Sequence, residues 1–321
     1  MQKIGVLIEI KSGEVKRTNL GVITAARGDG RELYAFLLES ITEDQKRVLQ
    51  EYGVAKIVEI QSGDAPIKYN PVSWSQAVVQ ALIDFGIDTL LGLAGVQGQN
   101  LLPRIAATLN APLVMDCSTV DPSGHTVQKS QYSGRAQATL KTEGDYHIYG
   151  LRPNAIEASP APRVAEKISF QAEIKKDGLD VKEIKQSDSR AIDLTEADVI
   201  ISGGRGMENS ENFGILFDCA EILGAAVGAS RVAVDEGWVP YAMQVGQTGK
   251  TVSPRVYIAC GISGSVQHFA GMKTAAMIIA VNKDPEAAIM KNCDYFVAAD
   301  LFDIIPALTA ELKATASGEV Q

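Results

Sequence analysis

The chain has 321 residues, of which 46% are hydrophobic and 21% charged, a composition typical of a folded protein with a sizeable core. The length predicts about two domains. Thirty Lys and Arg against 39 Asp and Glu give a net charge of -9, which argues against binding nucleic acid through bulk positive charge. Charged or glycine residues interrupt every apolar run before the roughly 20 residues that a membrane-spanning helix needs. We therefore predict a cytoplasmic protein with no nucleic-acid partner and no membrane insertion.

The first part of the chain alternates apolar strands with helices. Strands are predicted at 4–10, 33–40, 56–60, 89–95 and 112–117. Helices are predicted at 74–86 and 100–110, where apolar residues recur every three or four positions and Gly86 or Asn110 provides a stop signal. Continuous apolar strands joined by helices are typical of a parallel sheet that is buried on both faces.

Between residues 125 and 185 the pattern becomes more polar. We predict partly exposed antiparallel strands in the segments TVQKSQYSGRAQATLKT, YHIYGLR, KISFQAEI and VKEIKQ. A charged stretch then precedes a new apolar strand, so we place the boundary between an N-terminal domain, 1–192, and a C-terminal domain, 193–321.

The C-terminal domain returns to alternating strands and helices. The predicted order is strand ADVIIS, helix 211–223, strands VAVD and RVYIACG, helix VQHFAGMKTA, strands MIIAVN and YFVAAD, and helix LFDIIPALTAEL. This order predicts a doubly wound α/β domain of flavodoxin-like or Rossmann-like type.

Glycine and polar residues follow the strands of the C-terminal domain, where doubly wound sheets bind ligands. GGRGM contains Arg205, and GISGSVQH places Ser263 and Ser265 beside glycines that suit an anion cradle. Asn282 and Asp300 could bond the hydroxyls of a ribose or ribityl chain. Each feature alone is also compatible with a purely structural role, such as an Asx turn or a helix cap. Together they predict a phosphorylated, polyhydroxylated ligand.

Other chemistries find little support in the sequence. The four cysteines are far apart, and the three histidines lack metal-ligand spacing, so we predict no metal site. GGRGME does not fit the GxGxxG fingerprint, and GQTGKT at 246–251 lacks the first glycine of a P-loop.

The C-terminal motifs resemble the alpha subunit of electron-transfer flavoprotein. The matching segments are SGGRGMENSENF at 202–213, GASRVAVDEGW at 228–238, QVGQTGKTVSPRVYIACGISGSVQHFAG at 244–271, VNKDPEAAI at 281–289 and DYFVAADLFDIIP at 294–306. The N-terminal domain resembles the family more diffusely, through its opening strand and the turn NPVSW.

This resemblance implies that the C-terminal domain binds FAD. The residues implied at the diphosphate, adenosine and nucleotide end are Arg205, Ser230, Ser263, Gly264, Asn282, Asp300 and Leu301. Backbone N–H groups of Gln244, Val245, Gly246 and Gln247, with the Thr248 hydroxyl, would run along the flavin ring. The segment Ser265, Val266, Gln267 and His268 completes the implied site. Arg231 and His268 would add positive charge that favours the reduced, anionic flavin.

The resemblance also implies partners and a role. The chain would pair with a beta subunit, its N-terminal domain making the main contact, and carry electrons from acyl-CoA dehydrogenases of fatty acid β-oxidation to a quinone oxidoreductase. No substrate bond would break. Three alternatives stay open at this point: the alpha subunit of an electron-bifurcating flavoprotein that uses NADH, a redox-silent nucleotide-binding subunit, and, least supported, an NAD-dependent dehydrogenase.

Overall fold

The computed structural model describes residues 1–63, 65–132, 136–174, 179, 181–183 and 192–316. The chain forms two compact units, one comprising Met1–Gln131 with Arg135–Ser187 and the other Tyr132–Gly134 with Asp188–Gln321. Each unit contains a parallel sheet with helices, which confirms the predicted α/β class. The exact boundary at 192/193 stays a prediction.

The first unit contains thirteen strands and four helices among its described residues. The strands are β1 Gln2–Leu7, β2 Ile10–Lys11, β3 Glu14–Val15, β4 Arg31–Leu37, β5 Lys56–Ser62, β6 Ala65–Pro66, β7 Thr89–Leu93, β8 Leu113–Cys117, β9 Thr119–Asp121, β10 Thr126–Gln131, β11 Ala136–Lys141, β12 His147–Leu151 and β13 Glu166–Gln171. The helices are α1 Thr18–Ala26, α2 Glu43–Glu51, α3 Pro71–Phe85 and α4 Val96–Leu109.

The main sheet of this unit has the order β13-β5-β4-β1-β7-β12-β8, with all these neighbours parallel and β6 antiparallel to β5. Its strands are buried on both faces: Leu7 and Phe36 pack on one side, Val6 and Leu37 on the other. The continuous apolar runs of the sequence follow from this double burial.

Local signals explain where the two predicted helices begin and end. The Asn70 side chain accepts hydrogen bonds from the Val72 and Ser73 amides at 2.9 and 3.3 Å, just before α3. Gly86 (φ 61°) and Asn110 (φ 50°) end α3 and α4 in the left-handed conformation, as predicted.

The antiparallel prediction for 125–185 is right for one segment and wrong for two. β10 and β11 form the expected antiparallel pair, and β9, which was not predicted, adds a third antiparallel strand beside β10. β12, however, is a buried parallel strand between β7 and β8, and β13 is a parallel edge strand beside β5. The polar alternation of β13 reflects its edge position, since alternate side chains face solvent. VKEIKQ forms no strand at 181–183, and the rest of that segment lies outside the described residues.

The second unit has five strands and four α-helices among its described residues. The strands are β14 Val199–Gly203, β15 Ala226–Ala229, β16 Val256–Cys260, β17 Met277–Val281 and β18 Tyr295–Val297, and the helices are α5 Gly214–Leu223, α6 Arg231–Asp235, α7 Val266–Met272 and α8 Leu301–Ala316. The sheet is parallel with the order β15-β14-β16-β17-β18. Numbered along the chain this is 2-1-3-4-5, which is the flavodoxin-like rather than the Rossmann order.

The strand predicted at VAVD, residues 232–235, is wrong. These residues belong to α6, whose first turn is capped by the Ser230 hydroxyl, which accepts a hydrogen bond from the Ala233 amide at 3.5 Å. The strand lies instead at β15, where small residues fit a crowded position: a Cβ at Gly228 would lie 3.0 Å from Ser202 Oγ. Packing therefore overrides the β-branched pattern of VAVD.

Candidate functional site

A cavity of about 730 Å³ lies in the second unit, where the loops that follow β14, β15, β16 and β17 and the start of α8 meet. We call it the edge cavity. The strand order reverses between β14 and β16, and ligands of doubly wound sheets bind at this switch point. Fifteen of the seventeen residues predicted from the sequence line it: Arg205, Ser230, Arg231, Gln244, Val245, Gly246, Gln247, Thr248, Ser263, Ser265, Gln267, His268, Asn282, Asp300 and Leu301.

Two predicted residues do not line the edge cavity. Gly264 (φ 81°) packs against backbone, because an added Cβ there would lie 2.5 Å from the Ile289 nitrogen. Val266 begins α7 with an exposed side chain. The structure gives Gly264 a turn-forming role and Val266 no part in the wall.

Nine lining residues were absent from the predicted set: Gly206, Glu208, Val232, Asp235, Gly261, Ile262, Lys283, Asp284 and Ala287. Most are sequence neighbours of predicted residues, so the loop positions themselves were the available signal. Val232 and Asp235 were hidden by the mistaken strand at VAVD. In α6, Asp235 lies one helical turn from Arg231 and pairs with it.

Glycines let the loops after β14 and β16 approach each other closely. The Gly204 amide donates to the Cys260 carbonyl at 2.9 Å, and the Gly206 amide donates to the Gly261 carbonyl at 3.0 Å. A Cβ at Gly204 would lie 2.3 Å from the Gly261 oxygen, a backbone atom that cannot swing away. The GGRGM motif is thus needed for the contact between the two loops at the switch point.

The segment 244–248 forms one wall but offers fewer backbone donors than predicted. The amides of Val245, Gly246 and Gln247 already donate to the carbonyls of Ala229, Lys250 and Gln267. The Gln244 amide likewise donates to the Tyr241 carbonyl at 2.9 Å. Within the described part of the chain, the Thr248 amide has no acceptor, and its hydroxyl accepts from Gln244 Nε2 at 3.0 Å. The predicted set of ring-facing donors therefore narrows to Thr248.

Three cations and four carboxylates surround the edge cavity: Arg205, Arg231, Lys283, Glu208, Asp235, Asp284 and Asp300. Two solvent-accessible ion pairs form among them, with Arg231 Nε 3.1 Å from Asp235 Oδ2 and Lys283 Nζ 2.9 Å from Asp300 Oδ2. The hydrogen bond to Lys283 lowers the pKa of Asp300, which stays ionised at neutral pH. Arg205 is exposed, and the described residues provide it with no ion-pair partner. It is the cation best able to bind an added anion.

The polar side chains at the strand ends also stabilise their own loops. Asn282 Nδ2 donates to the Ile262 carbonyl and Asn282 Oδ1 accepts from the Asp284 amide, both at 3.0 Å. Asp300 Oδ1 accepts from the Phe302 amide at the start of α8, and Ser265 Oγ accepts from the His268 amide at 3.4 Å. These are the Asx turn and caps that the sequence left open as structural roles.

His268 is the buried titratable side chain of the wall, with 5% of its surface exposed. Its Nε2 lies 3.0 Å from the Tyr257 hydroxyl, and its Nδ1 is buried without a hydrogen-bond partner in the described residues. Burial lowers the pKa of His268 to about 4, and the Val245 backbone acts in the opposite direction. Burial therefore favours a neutral His268 at pH 7, whereas the resemblance implied a cation.

This fold and this site define a class: a doubly wound α/β protein with a ligand-sized cavity at its topological switch point. Residues 4–188 match the family model "Electron transfer flavoprotein domain", and residues 193–273 match "Electron transfer flavoprotein FAD-binding domain". The electron transfer flavoprotein subunit alpha of Bacillus subtilis is 36% identical over 320 residues, covering 97% of this chain and 98% of that protein.

Two further relatives show the same extent of similarity. Electron transfer flavoprotein subunit alpha of Pseudomonas aeruginosa is 36% identical and covers 94% of this chain and 97% of its own length. Protein FixB of Clostridium saccharobutylicum is 34% identical and covers 98% of each chain. Among solved structures, Acinetobacter baumannii MurG aligns over 98% of this chain and 83% of its own length, with 12% sequence identity and a TM-score of 0.30.

The chain belongs to the electron transfer flavoprotein alpha-subunit family. The resemblance drawn from residues after 195 is confirmed, and the match to 4–188 extends it to the N-terminal domain. FAD is confirmed as the cofactor of the family's C-terminal domain. In the described part of the chain, no helix is long and apolar enough to cross a membrane.

Proposed function

We propose that the chain is the alpha subunit of a heterodimeric electron transfer flavoprotein that holds FAD in the edge cavity. With its beta subunit it carries electrons from primary dehydrogenases, such as acyl-CoA dehydrogenases, to a quinone oxidoreductase in the cytoplasm. The observation that carries the proposal is the cavity itself, which lies at the switch point and combines a glycine-built floor with an available arginine.

The edge cavity fits FAD in three respects. The cavity volume of about 730 Å³ lies within the range of small-molecule sites. The close approach of Gly204 to Gly261 leaves backbone where a side chain would fill the space. The buried Nδ1 of His268 has no described protein partner, as expected of a polar atom that a ligand satisfies.

The residues divide the work of binding. Arg205 and the Ser263 hydroxyl would hold the diphosphate, since a guanidinium and a hydroxyl donate to phosphate oxygens. Asn282 and Asp300 line the nucleotide end, and Thr248 donates to the polar edge of the flavin ring. FAD, when bound, supplies reversible electron transfer. Arg231 contributes positive charge at the wall, which favours the reduced cofactor.

The test is to purify the chain with its beta subunit and measure the visible spectrum during stepwise anaerobic reduction with dithionite. One FAD per heterodimer, reduced stoichiometrically and unreactive with NADH, is the expected result. Two flavins with separate reduction stages and NADH reactivity would instead identify an electron-bifurcating protein. If no flavin binds, even when FAD is added, the redox function is wrong and a redox-silent nucleotide-binding subunit remains.

A further inference from the structure

Tyr257 and His268 form a buried pair that joins the sheet to the wall of the edge cavity. Tyr257 lies in β16, a strand at the switch point, and is fully buried. His268 lies in α7, eleven positions later, and its Nε2 is 3.0 Å from the Tyr257 hydroxyl. The rings meet edge to face with centroids 6.1 Å apart.

The direction of this hydrogen bond follows from the surroundings of the phenol. Burial raises the pKa of Tyr257 far above neutrality, so its hydroxyl keeps its hydrogen. Ser202 Oγ lies close enough to the phenol to lower that pKa, but it makes no hydrogen bond of normal geometry in the described residues. A buried phenol needs an acceptor for its hydrogen, and His268 Nε2 is the acceptor within reach.

The direction of the bond fixes the form of the imidazole. A neutral imidazole has one N–H and one unprotonated nitrogen. If Nε2 accepts from Tyr257, the hydrogen must be on Nδ1. The opposite tautomer would leave the phenol hydrogen without an acceptor and Nδ1 without a donor, because Nδ1 is buried and unpaired. The Nδ1–H form leaves a single unpaired group, a donor on a side chain that lines the edge cavity.

We propose that Tyr257 is a positioning residue that holds His268 as the neutral Nδ1–H tautomer, so that His268 meets the cofactor as a hydrogen-bond donor and not as a cation. The cofactor half of this inference rests on the proposed function, whereas the tautomer does not. The acceptor would be an oxygen or an unprotonated nitrogen on the polar edge of the flavin ring. The positive charge expected near the ring then comes from Arg231 and not from His268.

The experiment measures the imidazole nitrogens of His268 by ¹⁵N NMR in the copurified heterodimer, before and after loading with FAD. The signals are assigned by their loss in His268→Gln. We expect a proton-bearing Nδ1 and an unprotonated Nε2 at pH 7. An Nε2–H tautomer, or an imidazolium at pH 7, in the wild-type protein would overturn the inference, whatever the behaviour of any variant.

Tyr257→Phe removes the hydroxyl and keeps the ring. We expect mixed tautomers of His268 and about fivefold weaker FAD binding, the effect of losing one hydrogen bond in a binding site. Tyr149→Phe is the matched control: it also removes a buried hydroxyl, but that hydroxyl bonds Thr142. The control should leave the His268 signals unchanged. An unchanged His268 spectrum in folded Tyr257→Phe would show that Tyr257 does not position the ring.

The flavin-free sample separates this inference from the proposed function. If the expected tautomer is present and FAD does not bind, the proposed function and the cofactor half fail while the Tyr257–His268 pairing stands. If FAD binds and the tautomer is wrong, the proposed function stands and the pairing fails.

Discussion

The two parallel sheets of this protein differ in whether the charged side chains that follow their strands are buried or exposed. In the first unit, Arg152 follows β12 with 5% of its side chain exposed, and its guanidinium bonds both oxygens of Asp116 at 2.7 and 2.6 Å. Glu9, which follows β1, is buried against Lys16 at 2.6 Å. In the second unit, Arg205 and Arg231 are exposed beside the edge cavity.

The difference shows that a parallel sheet supplies only the place for a site. At the edge of the first unit, a buried charged side chain, Arg152 or Glu9, pairs with a more exposed partner and ties neighbouring strands and loops together. Around the edge cavity, Arg205 is exposed and has no ion-pair partner among the described residues, Arg231 is exposed within an ion pair, and glycines leave room for a ligand. Charge near strand ends is therefore structural in one unit and available for binding in the other.

The buried histidines extend the comparison. His147 in β12 bonds the Thr142 hydroxyl through Nδ1 at 2.7 Å, and its ring stacks on His125 at 3.7 Å between centroids. Its ring thus has partners within its own unit. His268 has one protein partner on Nε2 and none on Nδ1 among the residues that the structure describes. His268 therefore differs from His147 in having a buried nitrogen without a hydrogen-bond partner on a side chain that lines a cavity.

The largest expected effect concerns acid stability. Burial lowers the pKa of His268 from 6.5 to about 4, so protonation favours the unfolded chain. Above pH 6.5, His268 therefore does not lower the free energy of unfolding. As the pH falls from 6.5 to 4, its protonation in the unfolded chain lowers that free energy by about 3 kcal/mol. Urea unfolding at pH 7 and pH 4 should show that His268→Gln loses less stability than wild type. His147, whose pKa is lowered mainly by burial, has the same sign and a smaller effect. If wild type and His268→Gln lose the same free energy of unfolding between pH 7 and pH 4, the prediction is wrong.

The next effect concerns the glycine contact at the switch point. Gly204→Ala places a Cβ 2.3 Å from the Gly261 oxygen, so the two loops must separate. We expect a loss of about 2 kcal/mol in stability and at least about tenfold weaker FAD binding, measured by fluorescence titration. Gly214→Ala is the control, since a Cβ there meets no atom within 4 Å. Normal FAD binding by Gly204→Ala would mean that the loop contact is not part of the site.

The third effect belongs to the first unit. Arg152→Gln removes a nearly buried guanidinium that binds Asp116 with two hydrogen bonds. We expect about 2 kcal/mol of lost stability, the usual cost of losing charged hydrogen bonds, with unchanged FAD affinity. Thermal unfolding and flavin titration of the same sample measure both. Weaker FAD binding at preserved stability would show that this edge of the first unit also takes part in cofactor binding.

The smallest effect on stability belongs to Arg231. Its pair with Asp235 is exposed on both sides, so Arg231→Ala should cost only about 0.4 kcal/mol. Its charge, however, favours reduced flavin, and we expect the reduction potential of bound FAD to fall by on the order of 50 mV. Asp235→Asn is the opposite-sign control and should raise the potential. If both variants keep the wild-type potential, Arg231 has no tuning role.

Several features were predictable because they depend on neighbours in the sequence. Gly86 and Asn110 marked the ends of α3 and α4, and apolar runs marked the buried parallel strands. The strand prediction for VAVD was wrong because a short β-branched run is compatible with either a strand or a helix, and tertiary packing determines which one forms. The antiparallel prediction for β12 was wrong because its parallel pairing with β7 and β8 depends on distant parts of the chain. The polar residues on either side of the strand gave no indication of that pairing.

The features of the candidate site can also be separated into those that depend on sequence neighbours and those that depend on tertiary contacts. The α/β class, the loops that carry the site and, through long ordered motifs, the family and its cofactor could all be predicted from the order of the residues. The strand order, the internal hydrogen bonds of the amides at 244–247 and the neutral state favoured for His268 became apparent only in the folded structure. The reason is physical: motifs specify which groups are present, but burial and hydrogen-bond partners, which come from distant parts of the chain, determine the charge and the free donors of those groups.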